Sequence, residues 1–131
     1  MHPFAYILAA ALLNVLSKAP AVIALLRLGR SYDNSSPRQQ FEAEPKLKRL
    51  YAAHLNTLEA FPVFAVGMLS ALWAGVDQAF VDTCGGLFLL ARIIYLLAYS
   101  RAWSTLRSLI WGIGWLASLG PILYALTHLD F

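Results

Sequence analysis

The stretch LYAAHLNTLEAFPVFAVGMLSALWAGV (residues 50–76) is almost entirely apolar, yet its first half carries an imidazole, an amide and a carboxylate. It is long enough to cross a bilayer as a helix, which takes ~20 residues. Three other apolar stretches have similar lengths, at residues 4–28, 80–100 and 107–128. A chain in lipid must satisfy its backbone hydrogen bonds internally, so each of the four is predicted to be a transmembrane helix.

The connections between these helices predict how they are arranged. Only the first, GRSYDNSSPRQQFEAEPK (residues 29–46), is a substantial loop, rich in the residues that form turns. The connections near residues 75–78 and 100–104 are short, which favours antiparallel neighbours. The sequence therefore predicts an all-α integral membrane protein: an up-down four-transmembrane-helix bundle that forms a single domain over residues 1–131.

Composition supports this class and excludes others. Hydrophobic residues make up 60% of the chain and charged residues 13%, too few charges for the surface of a soluble domain. The net charge of +3 is modest and no basic tract carries interleaved aromatics, so no nucleic-acid partner is expected. The single Cys84 excludes an intrachain disulfide and a cysteine zinc site, and no metal is expected. Residues 4–26 lack a preceding basic region and are interpreted as a retained helix rather than a cleaved signal.

The distribution of charge predicts the orientation. The second loop carries aspartates and no Lys or Arg, whereas basic residues concentrate in or beside the first and third loops. These are Arg27, Arg30, Arg38, Lys46, Lys48, Arg49, Arg101 and Arg107. The positive-inside rule places the first and third loops in the cytoplasm and both termini outside.

Polar residues of the second helix fall on one side of it. At ~100° per residue, Arg49 and Asn56 lie nearly on one line, and Glu59 is on the same broad face. His54 points well away from that stripe, toward a neighbouring helix. Ionisable groups inside a membrane span are costly and usually mark a site in the bundle interior.

The third helix carries a matching stripe, because Arg92, Tyr95 and Tyr99 follow an i, i+3, i+7 pattern. With the predicted topology, Arg107 and Ser108 open the fourth helix at the same level, and Arg30 closes the first helix there. Excess cationic charge in a partly desolvated cleft predicts an anionic ligand.

A structural interpretation of the same residues stays open. Glu59 could pair with Arg92, and Asn56 could bond across helices only to hold the bundle together, each bond contributing about 0.6 kcal/mol. For Arg27 and Arg101 an orientation signal is the preferred interpretation. Lys18 could snorkel or pair inside the bundle, or it could take a direct role in the site. A transporter or channel is not favoured, because a one-sided polar cluster supplies no pathway across the bilayer.

Four motifs in order give the chain a family resemblance. Positions Arg49, Ala53, His54, Asn56, Glu59 and Pro62 resemble the MAPEG family, the membrane-associated proteins in eicosanoid and glutathione metabolism. ARIIYLLAY (residues 91–99) is similar to the family's third helix, and LRSLIW (residues 106–111) to the opening of its fourth. DNSSPR (residues 33–38) resembles the first loop of bacterial members, which implies a bacterial inner membrane.

The resemblance implies a homotrimer that binds glutathione, as a co-substrate, between neighbouring subunits near the cytoplasmic face. It implies a transferase or peroxidase acting on lipophilic small molecules that arrive through the membrane lipids. Carried over by position, Arg107 is the catalytic residue near the sulfur, and Arg92 supports the site. The other implied glutathione contacts are Arg30, His54, Asn56, Glu59, Tyr95, Tyr99 and Ser108.

The chain departs from the family at a few positions. Several members carry an arginine where this chain has Ala52, and some carry a basic residue at the place of Leu55. The alternative is therefore a non-catalytic membrane protein that binds a lipid or another anionic ligand in the same cleft.

Overall fold

The computed structural model describes residues 1–128; the last three residues of the predicted domain 1–131 lie outside the described residues. Its α-helices are α1 (Pro3–Leu16), α2 (Ala19–Arg27), α3 (Pro45–Trp73), α4 (Gln78–Ser100) and α5 (Ser104–His128). A single 3₁₀ turn, Gln39–Phe41, lies in the first loop. Counting α1 and α2 as one segment, the described residues hold four helices long and apolar enough to cross a membrane. The predicted all-α architecture with four spans is confirmed.

The first span consists of two helices, whereas the sequence predicted one continuous helix over residues 4–28. α1 ends at Leu16 and α2 resumes at Ala19. Pro20 explains the break, because proline lacks an N–H and its ring clashes with the preceding turn of a helix. At the break the Ser17 hydroxyl donates to the Asn14 carbonyl oxygen at 2.7 Å.

The ends of the other helices follow local chemistry. α3 begins at Pro45 rather than near residue 50, with proline in the first turn, where its missing N–H costs nothing. Gly75 turns the chain with a φ of +62°, which an L side chain rarely adopts. Asp77 then caps α4 by accepting hydrogen bonds from the N–H groups of Ala79 and Phe80 at 3.0 and 3.3 Å.

α3 occupies the centre of the bundle and touches every other helix, while α1 and α5 each pack on both α3 and α4. The core between α3 and α4 is marked by the stacked rings of Phe64 and Phe88, with centroids 3.8 Å apart. Large apolar side chains such as Leu8, Leu90 and Leu116 point outward and are more than half exposed, as expected for a lipid-facing surface.

Small residues allow the helices to approach closely. A Cβ added at Gly67 of α3 would overlap the backbone carbonyl oxygen of Ser118 in α5. A Cβ at Gly85 of α4 would lie 2.5 Å from the Tyr6 ring of α1. Close backbone contact of this kind is a principal source of helix association in lipid.

Gly67→Ala is expected to lower the free energy of unfolding by about 1–3 kcal/mol, because the added methyl group forces α3 and α5 apart. Thermal unfolding in detergent measures this as a lower Tm. The matched control is Gly86→Ala in α4, where a Cβ meets nothing within 4 Å and alanine favours the helix. Equal stability of the two variants would contradict the close approach of α3 and α5.

Candidate active site

An open cleft lies where α4 leads into α5. Its volume is about 540 Å³, and α3, α4 and α5 all contribute to it. The residues that line it are Asn56, Tyr95, Tyr99, Arg107, Ser108 and Trp111. The structure thus brings together five of the residues singled out from the sequence. It adds Trp111, which the spacing of four from Arg107 on α5 could have indicated.

Arg107 is the cation of this cleft. Its guanidinium lies 4.8 Å from the centre of the Tyr99 ring. Tyr99 in turn meets Tyr95 edge to face, with centroids 5.5 Å apart. Within residues 1–128, no carboxylate oxygen lies within 4.0 Å of an Arg107 nitrogen. Its positive charge is therefore available to a ligand in the cleft.

Arg92 stands behind the cleft and is completely buried. Its Nη1 donates to the Asn56 side-chain oxygen at 3.0 Å. Its guanidinium also lies 4.8 Å from the Tyr95 ring centre and 5.7 Å from that of Phe88. The backbone of α5 leaves room for it at Gly114, where a Cβ would lie 2.6 Å from Nη2. Arg92 therefore joins α3, α4 and α5 at the level of the cleft.

The structural interpretation of the sequence allowed an ion pair between Glu59 and Arg92, but the two side chains do not form one. The Glu59 carboxylate instead accepts a long hydrogen bond of 3.5 Å from the Asn56 side-chain nitrogen. The Asn56 side-chain oxygen thus accepts from Arg92 of α4, and its nitrogen donates to Glu59. The bond to Arg92 is the hydrogen bond between helices that the structural interpretation considered for Asn56. Glu59 is exposed and free to receive a cationic group of a ligand.

Two of the predicted site residues lie elsewhere in the chain. His54 is buried against the break between α1 and α2, with Nδ1 2.7 Å from the Ser17 hydroxyl, in agreement with its predicted direction. Arg30 is exposed on the first loop, where its Nη2 lies 3.8 Å from a carboxylate oxygen of Glu44. Neither residue lines the cleft.

The sequence model of the MAPEG family matches residues 3–127 of the chain. Leukotriene C4 synthase of Cavia porcellus is 33% identical over 94 residues, which cover 70% of this chain and 59% of that protein. Leukotriene C4 synthase of Bos taurus is 32% identical over the same shares. The chain thus spans about 59% of the length of these curated relatives. No solved structure matches the chain significantly.

Asn56→Leu is expected to lower the free energy of unfolding by about 1–3 kcal/mol, because Arg92 loses its hydrogen-bond acceptor inside the bundle. Asn56→Asp is the matched control, since it restores an acceptor of nearly the same shape. Thermal unfolding in detergent compares the two variants with the wild type. The role given to Asn56 is wrong if the aspartate variant is no more stable than the leucine variant.

Proposed function

Because the chain belongs to the MAPEG family, and with its four apolar spans is an integral multi-pass membrane protein, we propose that it is a glutathione-dependent membrane transferase or peroxidase. One observation carries the proposal: Arg107, without a carboxylate partner within residues 1–128, stacks on Tyr99 in an open cleft. The naming of both curated relatives as leukotriene C4 synthases supports a transferase.

The proposed role of Arg107 follows from the chemistry of thiols. A thiol of the cysteine type has a pKa near 8.5, and its thiolate is the nucleophile. A guanidinium remains protonated and stabilises an adjacent thiolate, which lowers the pKa of the thiol. Arg107 therefore supplies placed positive charge to the glutathione sulfur, and the reaction needs no general base from the protein.

Other groups in the cleft, together with Glu59 beside it, bind and orient the tripeptide in this proposal. Glu59 receives the amino group of glutathione, and Asn56 lies between Glu59 and the buried Arg92. The hydroxyl of Tyr95 supplies a hydrogen-bond donor along the same cleft, and that of Ser108, which donates to the Ser104 carbonyl oxygen at 3.1 Å, supplies an acceptor. Holding the sulfur in one place converts an encounter into an effectively unimolecular step.

The two proposed reactions share the thiolate. In conjugation it attacks an electrophilic carbon, forms a C–S bond, and the leaving group departs with its electron pair. With a lipid hydroperoxide it attacks the outer oxygen, the O–O bond breaks and an alkoxide leaves, which takes a proton from water. A second glutathione then converts the resulting sulfenic acid to the disulfide and water. Apolar substrates reach the cleft laterally through the membrane.

The proposal includes an assembly. Arg30 is exposed and lies away from the cleft of its own chain, so it would contact glutathione only across an interface between copies. His54 is buried within its own subunit against Ser17 and is left out of the proposed glutathione contacts. We therefore propose a homotrimer in which the cleft of one subunit is completed by its neighbour. The cleft, formed where α4 leads into α5, then faces the cytoplasmic side of a bacterial inner membrane, with the first and third loops on that side.

Arg107→Gln is expected to raise the thiol pKa of bound glutathione and to slow conjugation of a lipophilic electrophile about 10- to 100-fold at neutral pH. The pH profile of kcat/KM should rise through a pKa below 8.5 in the wild type and shift toward 8.5 in the variant. Ultraviolet absorbance of the thiolate in the glutathione complex gives the same comparison without turnover.

Arg101→Gln is the matched control for this experiment. Arg101 lies in the third loop with its guanidinium 5.1 Å from the Trp103 ring and does not line the cleft. The Arg101→Gln substitution removes the same charge as Arg107→Gln and should leave the thiolate absorbance unchanged. If the wild-type protein binds glutathione without forming the thiolate, the catalytic proposal is wrong and the alternative, a non-catalytic membrane binder, is favoured.

A further inference from the structure

A second groove, the loop groove, lies beside α3 at its loop end. Its floor is formed by Tyr51, Ala52 and Leu55 of α3, and two cations, Arg38 and Lys48, stand at its sides. Its volume is about 270 Å³. The proposed chemistry of the cleft uses none of these residues.

The segment of the first loop around Arg38 is closed by hydrogen bonds between its own residues. The backbone N–H of Asp33 donates to the Gln40 side-chain oxygen at 2.9 Å, and the Gln40 amide donates back to the Asp33 carbonyl oxygen at 3.0 Å. The hydroxyl and then the backbone N–H of Ser35 donate to the Asp33 carboxylate and hold the pKa of that carboxyl below its ordinary value. The loop motif DNSSPR therefore closes on itself and presents its last residue, Arg38.

Phe41 fixes the same loop to the bundle. Its side chain is fully buried and stacks on the Tyr51 ring, with centroids 4.6 Å apart and planes at 16°. The floor of the loop groove and the segment that carries Arg38 are thus joined by one aromatic contact. Arg38 therefore lies three residues before a residue that is anchored to α3.

The charges of the loop groove are not neutralised internally. Among the described residues, neither Arg38 nor Lys48 has a carboxylate oxygen within 4.0 Å. Glu42 is the carboxylate that lines the groove beside these two cations. Two cations and one carboxylate leave a net positive charge, which favours a carboxylate ligand.

The loop groove continues the face of α3 that leads to the cleft. Lys48, Ala52, Leu55 and Glu59 follow an i, i+4, i+7, i+11 spacing, so they share one side of the helix. From Ala52 to Glu59 the helix rises about 10.5 Å. An extended tripeptide spans roughly the same length, about 10 Å. At the far end of that span α3 presents the methyl group of Ala52, and the nearby cations of the groove are Lys48, one turn earlier on α3, and Arg38 of the first loop.

We propose that Arg38 and Lys48 form the subsite for the glycine carboxylate of glutathione. This inference rests on the proposed function, in which Glu59 receives the amino group and Arg107 faces the sulfur. The tripeptide then runs along α3 toward the first loop, where Arg38 of the loop and Lys48 of α3 supply the positive charge that is absent at Ala52. Arginine suits this role because its guanidinium binds a carboxylate through two parallel hydrogen bonds.

The test compares glutathione with its glycine monoethyl ester, which lacks the negative charge in question. The double variant Arg38→Gln/Lys48→Gln is expected to raise the KM for glutathione about tenfold, with kcat changed by less than about twofold. For the ester, the wild type should already show the higher KM, and the double variant should lose nothing further. The same pattern is expected for dissociation constants measured by calorimetry.

Lys46→Gln is the matched control, because Lys46 is exposed and lines a different cavity between α2 and α3. It should leave both KM values unchanged. If Arg38→Gln fails to fold, Lys48→Gln alone carries the test, since Lys48 is exposed on the surface of α3. Unchanged glutathione binding in the variants, or an equal loss for glutathione and its ester, overturns the subsite alone. A wild-type protein that does not bind glutathione overturns the proposed function and the subsite with it.

Discussion

The buried guanidinium of Arg92 is the interaction on which the arrangement of the site depends. An arginine inside a membrane bundle is costly unless its charge is compensated. Here one donor reaches Asn56 on α3, two aromatic rings of α4 lie close to the guanidinium, and Gly114 of α5 leaves the space. These contacts set the spacing of the three helices, and the cleft lies where they meet. Nε and Nη2 have no acceptor within residues 1–128, so the compensation is incomplete.

The two arginines have different roles: Arg92 is structural, and Arg107 is the proposed catalytic residue. Arg92 is sealed inside the bundle and acts through Asn56, whereas Arg107 faces the open cleft beside Tyr99. The difference follows from position, because Arg92 lies deep within α4 and Arg107 lies in the first turn of α5. A cation in the first turn keeps contact with solvent and can meet a ligand that enters from that side. The same reasoning extends to the first loop, whose exposed Arg38 lines the loop groove together with residues of α3.

The four spans were predictable because length and apolar composition determine them almost alone. The break at Ser17 and Lys18 was not predicted, because the overall apolar composition of residues 4–28 was read as one span. The polar residues Ser17 and Lys18 directly before Pro20 are the local signal that could have indicated it. Helical periodicity gave the common face of Asn56 and Glu59 and turned His54 away from it. Helical periodicity does not determine which of these side chains accepts the hydrogen bond from Arg92. That choice depends on how α3, α4 and α5 pack together, including the space that Gly114 of α5 leaves for the Arg92 guanidinium. The place of Arg30 depends on the path of the loop after Gly29, whose φ is +73°.

The most direct test of the account is the thermal stability of the detergent-purified protein with increasing glutathione, compared with S-hexylglutathione. A ligand that binds only the folded state raises stability by about 2.7 kcal/mol at one hundred times its dissociation constant. The account predicts a rise in Tm with glutathione and a larger rise with S-hexylglutathione, whose alkyl chain adds apolar burial at the lipid-facing rim. A Tm that stays constant with both ligands at saturating concentration would contradict it.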